Sequence, residues 1–85
     1  MMKDIIVRKF DEALDQTSKT LLIPELKDNS VLLETGLDSL GFAVLVALLE
    51  EELGFDPFQM TDDPVYPKTF GEFVSFYEVM NEKRA

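Results

Sequence analysis

Residues 36–41 read Gly-Leu-Asp-Ser-Leu-Gly, and this stretch decides how the rest of the chain is interpreted. Asp38 and Ser39 precede a long apolar segment. Both residue types favour a helix start, because their side-chain oxygens accept backbone N–H groups that the first turn leaves free. Phosphate is also held most easily at a helix start, where free N–H groups and the positive end of the helix dipole lie. The sequence therefore predicts a helix that begins at Ser39 and a serine placed to carry a phosphate-linked group.

This helix is predicted to run from Ser39 to about Leu53 and to stop at Gly54. At about 100° per residue, one face gathers the expected core residues. They are Phe42, Leu45, Val46, Leu49 and Leu53. The opposite face carries Leu40, Val44, Ala47 and Glu51. A small bundle cannot bury both faces, so two alternatives stay open for the second face: contact with a partner protein, or cover by the flanking loops.

Two further helices are predicted on either side of it. Asp4 to about Ser18 has apolar residues at helical spacing, and Pro24 ends any helical continuation. Thr69-Phe70-Gly71-Glu72 forms a capping box that begins a last helix. The core stripe of this last helix is expected to be Phe70, Phe73, Val74, Tyr77 and Met80. In the long connection of residues 24–37, three apolar residues are expected to pin the chain to the core: Val31, Leu32 and Leu33.

No segment alternates polar and apolar residues as a strand does. The fold class is therefore predicted to be all-α, a small helical bundle of three main helices with at most a short helical turn near residues 63–68. With 85 residues, the chain is expected to form one domain over 1–85.

Composition excludes several function classes. The chain has no cysteine and no histidine, so it lacks thiolate metal ligands, the commonest general base and the commonest metal ligand. The net charge is −9, and the span from Glu34 to Asp63 holds eight acids and no base. Such a field repels nucleic acid and anionic membranes and attracts basic protein surfaces, although it is equally typical of a solvated face. The start of the chain has no signal-peptide core and the run Leu40–Leu49 is too short to span a bilayer, so we expect a cytoplasmic protein.

Ser39 itself has three interpretations. It can serve only to start the helix, it can be a nucleophile, or it can tether a group. A hydrolase elbow needs glycine two residues before the serine, where this chain has Leu37, and no histidine is present to act as base. Residues 28–30 also lack the ligand pattern of a calcium loop. We therefore expect neither an enzyme nor a metal site.

The tethering interpretation rests on a resemblance. Gly36-Leu37-Asp38-Ser39-Leu40 is similar to the Gly-x-Asp-Ser-Leu motif of acyl carrier proteins. In that family the serine receives 4′-phosphopantetheine from coenzyme A, and the terminal thiol holds acyl or aminoacyl groups as thioesters. The resemblance extends to the length, the acidity, the order of helices and the acidic run of residues 50–52.

The resemblance implies a role for individual residues. Ser39 would be the attachment site, and Asp38 would cap the helix and take part in recognition by the transferase. The implied partner face comprises Leu37, Leu40, Val44, Ala47, Leu48 and Glu51. The implied partners are a phosphopantetheinyl transferase, an acyl or aminoacyl ligase, and downstream transferases or synthases. The carrier would be a monomer and would not itself be an enzyme.

Two positions depart from the pattern of fatty-acid carriers. That group usually has acids two and five residues after the serine, where this chain has Gly41 and Val44. We therefore expect a more hydrophobic docking face and a specialised carrier of a secondary biosynthetic pathway. Carriers of aminoacyl groups more often have a second glycine and a histidine or aspartate before the serine, where this chain has Leu37. The resemblance therefore favours acyl over aminoacyl cargo, and the aminoacyl alternative stays open. The competing hypothesis is an unmodified acidic helical adaptor that binds basic proteins through residues 34–63.

Overall fold

In the computed structural model, residues 2–84 are described. The three principal helices are α1 (Met2–Gln16), α2 (Ser39–Leu53) and α3 (Phe70–Lys83). Two 3₁₀ turns, Leu32–Glu34 and Pro57–Gln59, lie between them. Within residues 2–84 the extended pairing amounts to one isolated antiparallel bridge, and the predicted all-α bundle is confirmed.

Two predicted elements need correction. The first helix lies two residues earlier than the predicted 4–18. The short helical turn predicted near 63–68 is wrong, because the turn between α2 and α3 forms instead at Pro57–Gln59. There the Asp56 carboxylate accepts the Phe58 N–H at 2.9 Å, and proline occupies the first helical position, where no N–H is needed. Residues 63–68 contain two prolines, which lack the N–H donor and favour extended backbone just before them.

The helices bury the faces that their sequence periodicity assigns. In α1 the buried residues are Ile6, Phe10, Ala13 and Leu14. In α3 they are Phe70, Phe73, Val74 and Tyr77, whereas Met80 is partly buried. Leu45 and Leu49 are fully buried in α2, while the other three predicted core residues pack against the core with partial exposure. The Phe10 and Phe70 rings meet edge to face at 6.0 Å between centroids, which joins α1 to α3.

Aromatic rings fill the space between α2 and α3. Phe42 lies 5.6 Å from Phe73, and Phe73 lies 4.9 Å from Tyr77, measured between ring centroids. Phe58, on the second 3₁₀ turn, contacts all three of these rings at centroid distances of 6.0 to 6.3 Å. Pairs at such distances add stability beyond the area they bury. Phe58 lies outside the three predicted helices and is nevertheless central to this aromatic layer.

The long connection between α1 and α2 is fixed at both of its ends. The Leu22 N–H donates to the Thr35 carbonyl at 2.8 Å. Gly36 has φ +108°, and a Cβ at this position would overlap the Thr20 carbonyl oxygen. The close approach of these two backbone segments therefore requires glycine. Further along, the Leu32 N–H donates to the Lys68 carbonyl at 2.9 Å, which ties the connection to the residues just before α3.

The expectation for the three apolar residues of this connection is only partly right. Leu32 is buried, whereas Val31 and Leu33 are 41% and 62% exposed. Val31 forms the isolated bridge with Thr69, so its backbone rather than its side chain pins the chain at this point.

The Tyr77 hydroxyl is buried without a hydrogen-bond partner among the described residues, and burial raises the pKa of this phenol. An unsatisfied buried polar group costs roughly 1–3 kcal/mol. We expect Tyr77→Phe to raise the free energy of unfolding by about 1 kcal/mol in urea denaturation. Tyr66→Phe is the matched control, since Tyr66 is 82% exposed and its hydroxyl is already hydrated. A loss of stability in Tyr77→Phe would contradict this assignment.

Candidate functional site

The Asp38 carboxylate fixes the point at which α2 begins. Asp38 has extended backbone, and its Oδ1 accepts the Gly41 N–H at 2.8 Å, as predicted for a helix cap. Its Oδ2 lies 3.7 Å from the Lys19 Nζ. Lys19 follows Ser18, whose left-handed φ of +56° turns the chain after α1. Both carboxylate oxygens therefore have a partner, one inside the helix and one across the loop.

Ser39 is the first residue of α2, and it is exposed. Among residues 2–84 its hydroxyl takes part in no hydrogen bond, so the oxygen is available for modification. The chain has no histidine, the commonest general base. Ser39 is therefore accessible from solvent at the first turn of α2.

The hydrogen bond that caps the helix also affects the pKa of Asp38. The hydrogen bond from the Gly41 N–H, with a smaller contribution from the Lys19 ammonium, lowers the pKa of the Asp38 carboxyl. Asp38 is therefore negative at neutral pH, directly beside Ser39.

The lowered pKa makes the stabilising effect of Asp38 depend on pH. Its charge stabilises the fold above the unfolded pKa of about 3.9, and this stabilisation is lost as the pH falls through the lower folded pKa. Asp38→Asn keeps an oxygen that can cap the helix but removes the charge. We expect the variant to unfold at lower urea concentration than wild type at pH 7, with the difference shrinking below about pH 4. Asp62→Asn, at an exposed position outside α2, is the control. A difference independent of pH would contradict the electrostatic origin.

The predicted partner face is only partly exposed. Leu40 is 65% exposed, and Ala47 and Glu51 are exposed as well. Val44 and Leu48 are partly buried and pack against the core. The placement of Leu37 on this face is wrong, because its side chain is fully buried and cannot reach a partner.

The exposed apolar stripe of α2 consists instead of Leu40, Ala43 and Ala47. Ala43 was missed by the sequence interpretation, although its spacing of three residues from Leu40 and four from Ala47 is the signal that places it there. Glu50 and Glu51 follow the stripe and are exposed.

Gly41 explains how Leu37 becomes buried. A Cβ at Gly41 would lie 2.8 Å from Leu37 Cδ1 and 3.3 Å from Asp38 Oδ1. The absence of a side chain at this position lets Leu37 pack against the first turn of α2. The departure at Gly41 thus gives the Leu37 side chain room, since a Cβ here would crowd the Leu37 methyl group and press on the capping carboxylate.

Part of the acidic field is neutralised by bases from α1 and the turn after it. Lys9 Nζ lies 2.9 Å from Glu12 Oε2 and 3.4 Å from Glu52 Oε1, and Lys19 approaches Asp38. Asp56 is engaged in capping the second 3₁₀ turn. The exposed acids of the span are Glu34, Asp38, Glu50, Glu51, Glu52, Asp62 and Asp63. Ion pairs with Lys9 and Lys19 therefore offset part of this acidic surface, at Glu52 and Asp38.

A groove of about 770 Å³ opens beside Ser39. One wall is the connection around Val31 and Leu33, and another is the start of α2 with Ser39 and Phe42. The third wall is the proline-rich segment of residues 64–69. The lining is mostly apolar, and Lys68 is its charged member. The Ser39 hydroxyl is exposed, makes no internal hydrogen bond and lies at the rim of this open groove. This arrangement fits the attachment of a long flexible group.

The fold and the site together define a small helical bundle with an exposed serine at the start of its second helix. The sequence matches the family model described as "Phosphopantetheine attachment site" over residues 11–60, more than half of the chain. The chain therefore belongs to the phosphopantetheine-attachment family, whose domains bear 4′-phosphopantetheine and act as carriers rather than catalysts. No curated protein and no solved structure gives a significant match. Within residues 2–84, no helix is long and apolar enough to cross a membrane.

Proposed function

We propose that Ser39 is the attachment point of the 4′-phosphopantetheine arm. The proposal is supported by the family match together with the exposure of Ser39, whose hydroxyl makes no internal hydrogen bond. In the loading step the Ser39 Oγ loses its proton to the transferase and bonds to the phosphorus next to pantetheine. The diphosphate bond of coenzyme A breaks, and adenosine 3′,5′-bisphosphate leaves. When bound, the arm supplies a thiol that holds cargo as a thioester.

The chain's own residues prepare this serine for the transferase. Asp38 ends the extended backbone and starts the helix, so the Ser39 hydroxyl stands at the surface in a fixed position. We assign Asp38 the second role of recognition by the transferase and its metal-bound diphosphate, because its negative charge is on the residue directly before Ser39. The buried Leu37 side chain packs against Gly41 and so stabilises the turn that carries Ser39.

The loading proposal is tested by intact mass. Incubation with coenzyme A, Mg²⁺ and a broad-specificity phosphopantetheinyl transferase is expected to add one phosphopantetheine to wild type and none to Ser39→Ala. Ser75→Ala, at an exposed serine of α3, is the control that should be loaded like wild type. Circular dichroism establishes that each variant is folded. A folded wild type that gains no mass would contradict the proposal and favour the unmodified acidic adaptor.

Partner enzymes are proposed to dock on the exposed stripe of α2. Leu40, Ala43 and Ala47 give an apolar strip that begins beside Ser39, and Glu50 and Glu51 give it an acidic end. An apolar centre with a charged rim is typical of protein interfaces, in which the charges steer encounter. A basic patch on the partner would match the acidic end.

The docking face is tested by the rate of loading. Ala47→Glu adds bulk and charge to the middle of the stripe and should lower kcat/KM of the transferase by about tenfold, which corresponds to about 1.4 kcal/mol. Ser75→Glu makes a comparable change on the exposed surface of α3 and should leave the rate within about twofold, since surface charges far from an interface have small effects. Equal rates for both variants and wild type would contradict docking through this stripe.

The class of cargo and the kind of pathway are inferred from the sequence around Ser39 and from the apolar docking strip. An acyl rather than an aminoacyl cargo is favoured by Leu37 before the Asp-Ser pair, and the apolar docking strip suits a specialised biosynthetic pathway with a dedicated ligase. We propose that the chain works as a single cytoplasmic, monomeric, non-catalytic domain over residues 1–85. Its downstream partners are then transferases or synthases that accept the thioester.

A further inference from the structure

We propose that Lys19 is a positioning residue of the loaded protein, and that its ammonium group is the counter-ion of the phosphodiester formed on Ser39. This inference rests on Ser39 being the attachment point. It deepens the proposed function, because it names the side chain that restrains the first atoms of the arm and offsets the charge that loading adds.

Loading adds negative charge at a place that is already negative. A phosphodiester on the Ser39 Oγ is anionic at neutral pH, and the ionised Asp38 directly precedes this serine. The surrounding segment cannot offset these charges, since residues 34–63 contain no lysine or arginine. A counter-ion for the phosphodiester must therefore come from another part of the fold.

Lys19 is a cation that the fold brings to this place. Its Nζ lies 3.7 Å from Asp38 Oδ2, and both side chains are 47% exposed. This separation exceeds the length of a hydrogen bond, about 2.7–3.2 Å, so the two groups are paired by charge at longer range. An ammonium group has three donors, which leaves capacity for a further acceptor. An oxygen of a phosphodiester on Ser39, the residue after Asp38, is such an acceptor.

The backbone holds Lys19 in place on both sides. Its N–H donates to the Leu14 carbonyl at 2.8 Å across Ser18, whose left-handed φ is +56°. This hydrogen bond closes the end of α1 in a way that is common at helix C-termini. On the other side, the carbonyl of Thr20 lies directly against Gly36. The lysine side chain therefore extends from a fixed point beside the turn that leads into α2.

Lys68 is a second candidate for the counter-ion, because it lines the same groove as Ser39. Its charge acts on a different carboxylate. Hydrogen bonds from the Thr69 and Lys68 N–H groups, with a smaller contribution from the Lys68 ammonium, lower the pKa of the Glu72 carboxyl. Lys19, in contrast, is paired with the residue directly before Ser39. The contacts therefore favour Lys19.

The test compares the thermal midpoint of each protein before and after complete loading from coenzyme A, at low ionic strength. Intact mass first establishes loading, and a folded wild type that gains no mass would contradict attachment rather than the role of Lys19. In Lys19→Gln, loading should lower the midpoint by about 2 °C relative to its effect on wild type, because the phosphodiester then lies beside Asp38 without a counter-ion. Lys19→Arg keeps the charge and should respond to loading as wild type does.

Lys83→Gln is the matched control. Lys83 is exposed in the last turn of α3, and its neighbour Arg84 lies against the end of α2 opposite Ser39. Loading should therefore change the midpoint of this variant as it changes that of wild type. Equal effects of loading in Lys19→Gln and Lys83→Gln would overturn the proposal. A loss that appears in Lys68→Gln instead of Lys19→Gln would overturn it as well.

The phosphorus NMR resonance of the arm and the salt dependence separate a charge contact from a purely structural role. The resonance should move in loaded Lys19→Gln and keep its wild-type position in loaded Lys83→Gln. About 1 M sodium chloride should remove the difference in thermal midpoint, since the Debye length then falls to about 3 Å. A resonance that stays in place in Lys19→Gln, or a difference that salt does not reduce, would contradict the role of Lys19 as counter-ion.

Discussion

The hydrogen bond from the Gly41 N–H to the Asp38 carboxylate is the interaction on which the site depends. It ends the extended connection and starts α2 at one defined residue, Ser39. A start one residue later would leave Ser39 in the connection and not in the first turn of the helix. The same bond orients the turn so that Leu37 points into the core while Ser39 stands at the surface. The proposed attachment point, the proposed docking stripe and the packing of Leu37 thus all depend on this cap.

The second constraint is the backbone pairing that closes the loops around this cap. The Leu32 N–H donates to the Lys68 carbonyl, and the Phe70 N–H donates to the Ser30 carbonyl at 2.8 Å. These bonds bring the connection before α2 against the segment before α3, two stretches that are distant in sequence. The groove beside Ser39 exists because this pairing holds its two loop walls in place.

Much of the fold follows from local sequence signals. The Asp38 cap, Gly54 as the stop of α2, and the Thr69–Glu72 capping box are short-range features, and the structure confirms each of them. The Asp56-Pro57 pair was an equally local signal for a 3₁₀ turn, but the turn was instead predicted near residues 63–68. Periodicity predicted which faces of α1 and α3 are buried. The remaining differences concern the degree of burial, which depends on neighbours distant in sequence. Leu37 is buried because Gly41 leaves room for it, and the groove depends on long-range pairing that no local pattern encodes.

The most direct measurement is tandem mass spectrometry of the protein purified from its own cells, with proteolytic peptides that separate Ser39 from the other serines and threonines. The account predicts a phosphopantetheine on the peptide that contains Ser39, with fragment ions that assign it to this side chain. Modification at another residue would contradict the central claim. So would a fully unmodified Ser39 in cells where the biosynthetic enzymes are active, because the cap and the exposed hydroxyl would then serve only to start a helix.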